Sequence, residues 1–135
     1  MKAVLDTNVI VSAALSPHGA PAALLRAWVG GAFDLIASPL LLEELERVLV
    51  YPKLRQLIST EEAAELVELV GRQSVMVDDP TANPPVRSPD PGDDYLIALA
   101  ATARAMLVTG DGDLLGLADQ IPVMTAAEFL RALIG

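Results

Sequence analysis

Cysteine is absent from this chain, and histidine occurs once, as His18 in a Ser-Pro-His-Gly loop. Without cysteine there are no disulfides and no thiolate metal sites, a usage that suits a reducing cytoplasm. A His-rich zinc site is excluded as well. Lysine is nearly missing: two Lys and seven Arg stand against 18 acids, for a net charge of −9. That is the wrong sign for simple electrostatic attraction to nucleic acid. Acidity on this scale means solubility, a basic partner, or carboxylates gathered to hold a cation. Aromatics are scarce, with two Tyr, two Phe and one Trp, so the core has to be built from Ala, Leu, Val and Ile. No apolar run reaches the roughly 20 residues of a membrane-spanning helix. The Asp and Asn inside the first apolar run argue against a signal peptide. A chain of 135 residues fits one domain, residues 1–135, able to bury a real core.

What is present is an alternation of short apolar runs with helical patterns. Lys2-Ala3-Val4-Leu5 reads as a buried strand halted by Asp6-Thr7-Asn8, any of which can cap a helix through Leu15. Pro21 to Val29 is a second helix, with Trp28 on its core face, and Phe33 to Ala37 a second strand. Ser38-Pro39 opens a helix to about Val50, and Lys53 to Ile58 a short turn of helix. Ser59-Thr60-Glu61-Glu62 opens another, ahead of a third strand at Ser74 to Val77. The proline-rich stretch Asp79 to Gly92 is a surface loop. A helix from Asp93 to Arg104, a strand at Ala105 to Thr109, a short helix at Leu114-Leu115, a strand at Ile121 to Met124 and a helix capped by Thr125 follow. Strands alternating with helices give an α/β fold: a parallel sheet in a three-layer α/β/α sandwich.

The acids are where the chemistry lies. Asp6 and Asp111 each end a strand, at the carboxyl edge where open α/β sheets bind ligands. On the helix from Pro39, read at about 100° per residue, Glu44 sits at the edge of the apolar face beside Leu41 and Val48. Glu43 points away from that face, placed to pair with Arg47 four residues on. In Asp90-Pro91-Gly92-Asp93-Asp94, Asp94 continues the stripe Ile97, Ala98, Ala101, while Asp93 is the better helix cap. Each acid alone reads equally as a cap; Asp113 is an alternative to Asp111. The Asp-x-Asp at that position opens like a calcium loop, but the full ligand pattern ending in Glu is absent. Four carboxylates on one edge are costly unless a cation neutralises them. Oxygen-only ligands suit Mg²⁺ or Mn²⁺, which can activate water against a phosphodiester.

Val4-Leu5-Asp6-Thr7-Asn8-Val9, Ser38 through Glu44-Leu45, Asp94-Tyr95-Leu96-Ile97-Ala98-Leu99-Ala100 and Leu107-Val108-Thr109-Gly110-Asp111 resemble, in order and spacing, the motifs of PIN-domain ribonucleases. The subgroup resembled is that of the toxins of toxin–antitoxin modules. The resemblance implies a central five-stranded parallel sheet in the order 3-2-1-4-5. It also implies Mg²⁺ or Mn²⁺ held by the catalytic acids Asp6, Glu44, Asp94 and Asp111, with Thr109 a polar neighbour. The partners implied are a single-stranded or structured RNA substrate, an antitoxin protein and a second copy of the chain. The cations Arg47, Lys53, Arg55 and Arg87 are candidates to guide the RNA backbone. The competing reading is an inactive α/β partner-binding domain whose acids are helix caps. An aspartyl phosphatase wants a second Asp where Asn8 stands, a receiver domain wants a Lys late in the chain, and a dinucleotide module wants G-x-G-x-x-G after the first strand. All three are missing.

Overall fold

The structure, a computed structural model, describes residues 1–134. Its sheet grows from the first apolar run. In β1 (Lys2–Leu5), Ala3, Val4 and Leu5 have no exposed surface, as in a parallel strand covered on both faces. β2 (Asp34–Ala37) and β4 (Met106–Val108) flank β1, while β3 (Val75–Met76) and β5 (Val123–Met124) form the edges. All four pairings are parallel, and the order is β3-β2-β1-β4-β5. Fold class and strand order are those expected. The edge strands are shorter than the sequence suggests; both residues of β3 are exposed.

Helices fill both faces. They are α1 (Thr7–Leu15), α2 (Ala20–Val29), α3 (Pro39–Leu49), α4 (Pro52–Arg55), α5 (Thr60–Gln73), α6 (Asp94–Ala103), α7 (Gly112–Leu115) and α8 (Ala126–Ile134). α2 packs on α1 and α8, α3 on α5, and α6 directly on β1 and β4. The starts of these helices follow local chemistry. Ser38 Oγ accepts from Leu41 N before α3, and Ser59 with Glu62 forms a capping box before α5. Thr125 and Glu128 exchange the equivalent bonds before α8. Trp28 is buried in the core, as its position predicts, and Phe129 of α8 meets Phe33 edge-to-face at 5.2 Å.

The start of α6 departs from expectation. Pro91–Asp93 forms a single 3₁₀ turn, and α6 begins at Asp94. Five consecutive residues, Leu96 to Ala100, are buried, whereas Ala101 of the expected stripe is exposed. The helix ends on Arg104 in the left-handed region, φ 54.

Candidate functional site

The register of β1 on β4 builds the centre of the site. Leu5 pairs with Val108, so the next residues, Asp6 and Thr109, stand side by side at the carboxyl edge. Asp6 N donates to Val108 O at 2.9 Å. The Thr109 hydroxyl donates to Asp6 Oδ2 at 2.8 Å and accepts from Asp111 N at 3.0 Å. The other oxygen, Asp6 Oδ1, accepts from Asn8 N at 3.3 Å and caps α1. Asp6 is only 6% exposed and Thr109 fully buried. Burial pushes the Asp6 carboxyl above its ordinary value. Thr109 and Asn8 oppose that shift by hydrogen bonding, and the charges of Asp111 and Glu44 add to it. None of the ion pairs among the described residues involves Asp6.

Asp111 is half-buried at the cap of α7, its Oδ1 accepting from Asp113 N at 2.9 Å; Asp113 itself is exposed. Glu44 is half-buried and Glu43 exposed, as the helical angle requires. Arg47 corrects one expectation: it pairs with Glu44, not Glu43. Its Nη2 lies 2.5 Å from Glu44 Oε1 and 2.7 Å from Oε2, and its Nε 3.1 Å from Oε2. Spacing of three and of four residues both bring side chains together on a helix. The tie is broken by Tyr51, whose hydroxyl accepts from Arg47 Nη1 at 2.5 Å and whose ring lies 5.7 Å from the guanidinium.

The sequence points to Asp94 as the third acid, but the structure brings its neighbour to the others. Asp93 feels the charges of Asp6, Asp90 and Asp111 and lies beside the Asp111 carboxyl. With partial burial as the largest cause, its carboxyl is pushed up to about 6. It occupies the cap position of α6 without making a capping hydrogen bond. Asp94 turns to the proline-rich loop instead. Its Oδ1 accepts from Ser88 N at 2.7 Å and its Oδ2 from Arg87 Nη1 at 3.1 Å. Those bonds, the Ser88 one foremost, hold Asp94 below the usual carboxylate range.

Tyr95 is a further residue of this edge, one that no acidic motif signals. Its phenol is pushed up to about 12, first by burial and then by the charges of Glu44, Asp6 and Asp93. The buried Thr7 hydroxyl lies beside it without completing a hydrogen bond of normal geometry. A neutral phenol therefore faces the carboxylates. Beyond Thr109 and Asp111 opens a cleft of about 670 Å³, lined also by Asn8, Ser12, Pro21 and Thr125. An apolar cavity of about 530 Å³ lies elsewhere, against Met1, Ile97, Ile121 and Phe129, and contains none of these acids.

The donors at this edge are all oxygens, which fits a hard divalent cation. Among the described residues, no three are yet close enough to enclose one. Glu44 is committed to Arg47 and one oxygen of Asp111 to its cap. What the edge offers is a buried carboxylate in no ion pair among the described residues, with the charges of Asp111 and Glu44 acting on it.

Comparison with known proteins bears on this arrangement. A family model described as PIN domain matches residues 2–113, a span containing all the acids above. An uncharacterized protein of Methanocaldococcus jannaschii is 31% identical over 121 residues, covering 89% of this chain and 77% of that protein. A chain in the crystal structure of VapBC2 from Rickettsia felis, bound to a DNA fragment from its promoter, has a similar fold. It matches with a TM-score of 0.60 at 14% identity, over 93% of this chain and 97% of its own.

Proposed function

The chain belongs to the PIN domain family, and on that premise we propose that it is a metal-dependent ribonuclease cutting RNA phosphodiester bonds by hydrolysis. The observation that carries the reading is Asp6. A carboxylate 6% exposed, with three other acids acting on it or on its neighbours and no cation paired to it, raises the free energy of the fold. Helix capping supports the rival reading, since Asp6 and Asp111 do cap α1 and α7. But a cap needs neither burial nor like-charged neighbours, and an exposed Asp or Asn serves as well. A cation site explains both features.

In this reading Asp6 anchors a Mg²⁺ or Mn²⁺ ion, with Glu44, Asp111 and Asp93 completing the acidic ring. When bound, the ion would polarise a phosphoryl oxygen and lower the pKa of a water. The chain's own contributions follow from their placement. Thr109 and the Asn8 amide fix both oxygens of Asp6, so its orientation is set before any ligand arrives. Asp93, whose carboxyl burial and the neighbouring acids push up to about 6 in the metal-free protein, would be driven down by a bound divalent ion and so freed as an oxygen ligand. Asp94 acts one step away, tying Ser88 and Arg87 to the start of α6 and so fixing the turn that presents Asp93. The cleft lined by Asp111, Thr109 and Asn8 is the groove this reading assigns to a strand of RNA.

We further propose that the protein is the toxin of a toxin–antitoxin module, acting as a homodimer held in check by an antitoxin. The motif resemblance and a fold shared with a chain of VapBC2 from Rickettsia felis support this. No helix of the described residues is long and apolar enough to cross a membrane. The decisive experiment uses purified protein and a labelled single-stranded RNA. Cleavage should require added Mg²⁺ or Mn²⁺ and stop with chelator; undiminished cleavage in excess chelator would overturn the metal reading.

A further inference from the structure

Glu44 has the right position for the acidic ring and the wrong partner. Both of its oxygens are taken by the Arg47 guanidinium, at 2.5, 2.7 and 3.1 Å. That guanidinium is itself seated on Tyr51 through a 2.5 Å hydrogen bond and its ring face. Neither Arg47 nor Glu44 is deeply buried, their side chains being 58% and 32% exposed, so the pair can open without disturbing the core. A divalent ion cannot use Glu44 while the fork remains, because the two cations compete for the same oxygens. A phosphodiester, whose two non-bridging oxygens share a negative charge, offers the guanidinium a doubly accepting replacement for the carboxylate.

We propose that Arg47 is a clasp on Glu44: it shields the carboxylate in the metal-free protein and exchanges it for a phosphate of the RNA backbone when metal and substrate bind. Arg47 is thus a positioning residue that acts through Glu44 and then contacts substrate. The inference rests on the metal-dependent ribonuclease reading and adds a sequence of partners to it. Its signature is a split. Loss of the clasp tightens metal binding and weakens RNA binding, whereas loss of a merely structural residue weakens both.

The test is calorimetric titration of Mn²⁺ into wild type, Arg47→Met and Arg47→Lys, with KM for single-stranded RNA measured in parallel. Arg47→Met should bind Mn²⁺ about fivefold tighter or more, the lower end of ordinary site-to-site coupling, with a raised KM for RNA. Arg47→Lys keeps the charge but loses the fork, and it too should bind Mn²⁺ more tightly than wild type. Tyr51→Phe, which removes only the hydroxyl seating Arg47, should shift Mn²⁺ affinity the same way by less, and guards against a misfolded Arg47 variant. Equal or weaker Mn²⁺ binding by Arg47→Met, in a wild type that binds Mn²⁺ and cleaves RNA, overturns the clasp alone. So does an Arg47→Lys indistinguishable from wild type, because charge without the fork then accounts for everything. A wild type that binds no Mn²⁺ overturns the ribonuclease reading and the clasp with it.

Discussion

Replacing Asp93 by Asn should stabilise the metal-free protein at alkaline pH and do little at acid pH. The carboxyl is pushed up to about 6 from an ordinary 3.8, so the folded chain binds this proton better than the unfolded one. The stability it contributes is complete below about pH 4 and is lost as pH rises through 6. Converted at about 1.4 kcal/mol per pH unit, the difference is roughly 3 kcal/mol. Asp93 is only part-buried, and solvent screening brings the expected effect down to about 1 kcal/mol. For a chain of this size that is a Tm higher by about 4 °C in Asp93→Asn at pH 8. About half of the gain should be gone at about pH 5, which lies between the two values and is still clear of the pI near 4.3. Asp94→Asn is the control of opposite sign. Its carboxyl lies below the usual range because Ser88 and Arg87 bind it, so its contribution is present at neutral pH and lost only as pH falls through that lowered value. Asp94→Asn should therefore melt below wild type at pH 8. Thermal melts of the three proteins in chelator at both pH values make the comparison. An Asp93→Asn that melts no higher than wild type at pH 8, or keeps its whole advantage at pH 5, would refute the placement of Asp93 among the acids.

Three other outcomes are expected. Glu44→Gln should slow RNA cleavage by at least about 10²-fold, the lower range for a positioned catalytic group, while the exposed Glu43→Gln stays within a few-fold; steady-state rates decide, and reversed effects would mean the wrong face of α3 was chosen. Thr109→Val should lower the denaturant midpoint by an amount worth about 1–3 kcal/mol, since it strands a buried Asp6 oxygen and the Asp111 N–H, and Thr109→Ser should restore most of it. Mn²⁺ should raise the Tm of wild type and barely move that of Asp6→Asn, because only ligand bound to the native state adds stability; equal responses in the two proteins would remove Asp6 from the site.

Much of this edge could be read from residues alone, and the reasons for success and failure are physical. Asp6 and Asp111 were legible because a buried strand ends abruptly, and in a parallel sheet every such end falls on one edge. Glu44 was legible because α3 is regular from its Ser38 cap onward, so angle and burial agree. Asp93 and Asp94 were not separable in the same way. The turn Pro91–Asp93 is 3₁₀, with about three residues per turn where the angular reading assumes 3.6. Asp93 lies in that turn, ahead of the α-helical stripe that starts at Asp94, so the helical angle says nothing of where it points. The deciding bond, from Ser88 N to Asp94, comes from a loop whose path no periodicity encodes. Arg47 had two acids within reach, and its choice was set by Tyr51, a residue beyond the end of α3. The left-handed ending of α6 at Arg104 is likewise unmarked, since no glycine stands there.

The cations resolve the difficulty that an acidic chain poses for an RNA-binding reading. Arg47 and Arg87, two of the four candidates to guide the backbone, are each tied to a carboxylate, Glu44 of the proposed acidic ring and Asp94 beside it. In the metal-free protein those pairs neutralise the positive charge nearest the site, and Asp6, Asp93 and Asp111 leave it net negative. A polyanion has little reason to approach such a surface. In the proposed ribonuclease, a divalent ion held by the acids would end that repulsion of phosphate and would give Arg47 a second acceptor. On the proposed ribonuclease reading, charge sets the order: metal first, RNA second. On the same reading, the net charge of −9 would act as a filter, disfavouring nucleic acid on the surface away from the ion.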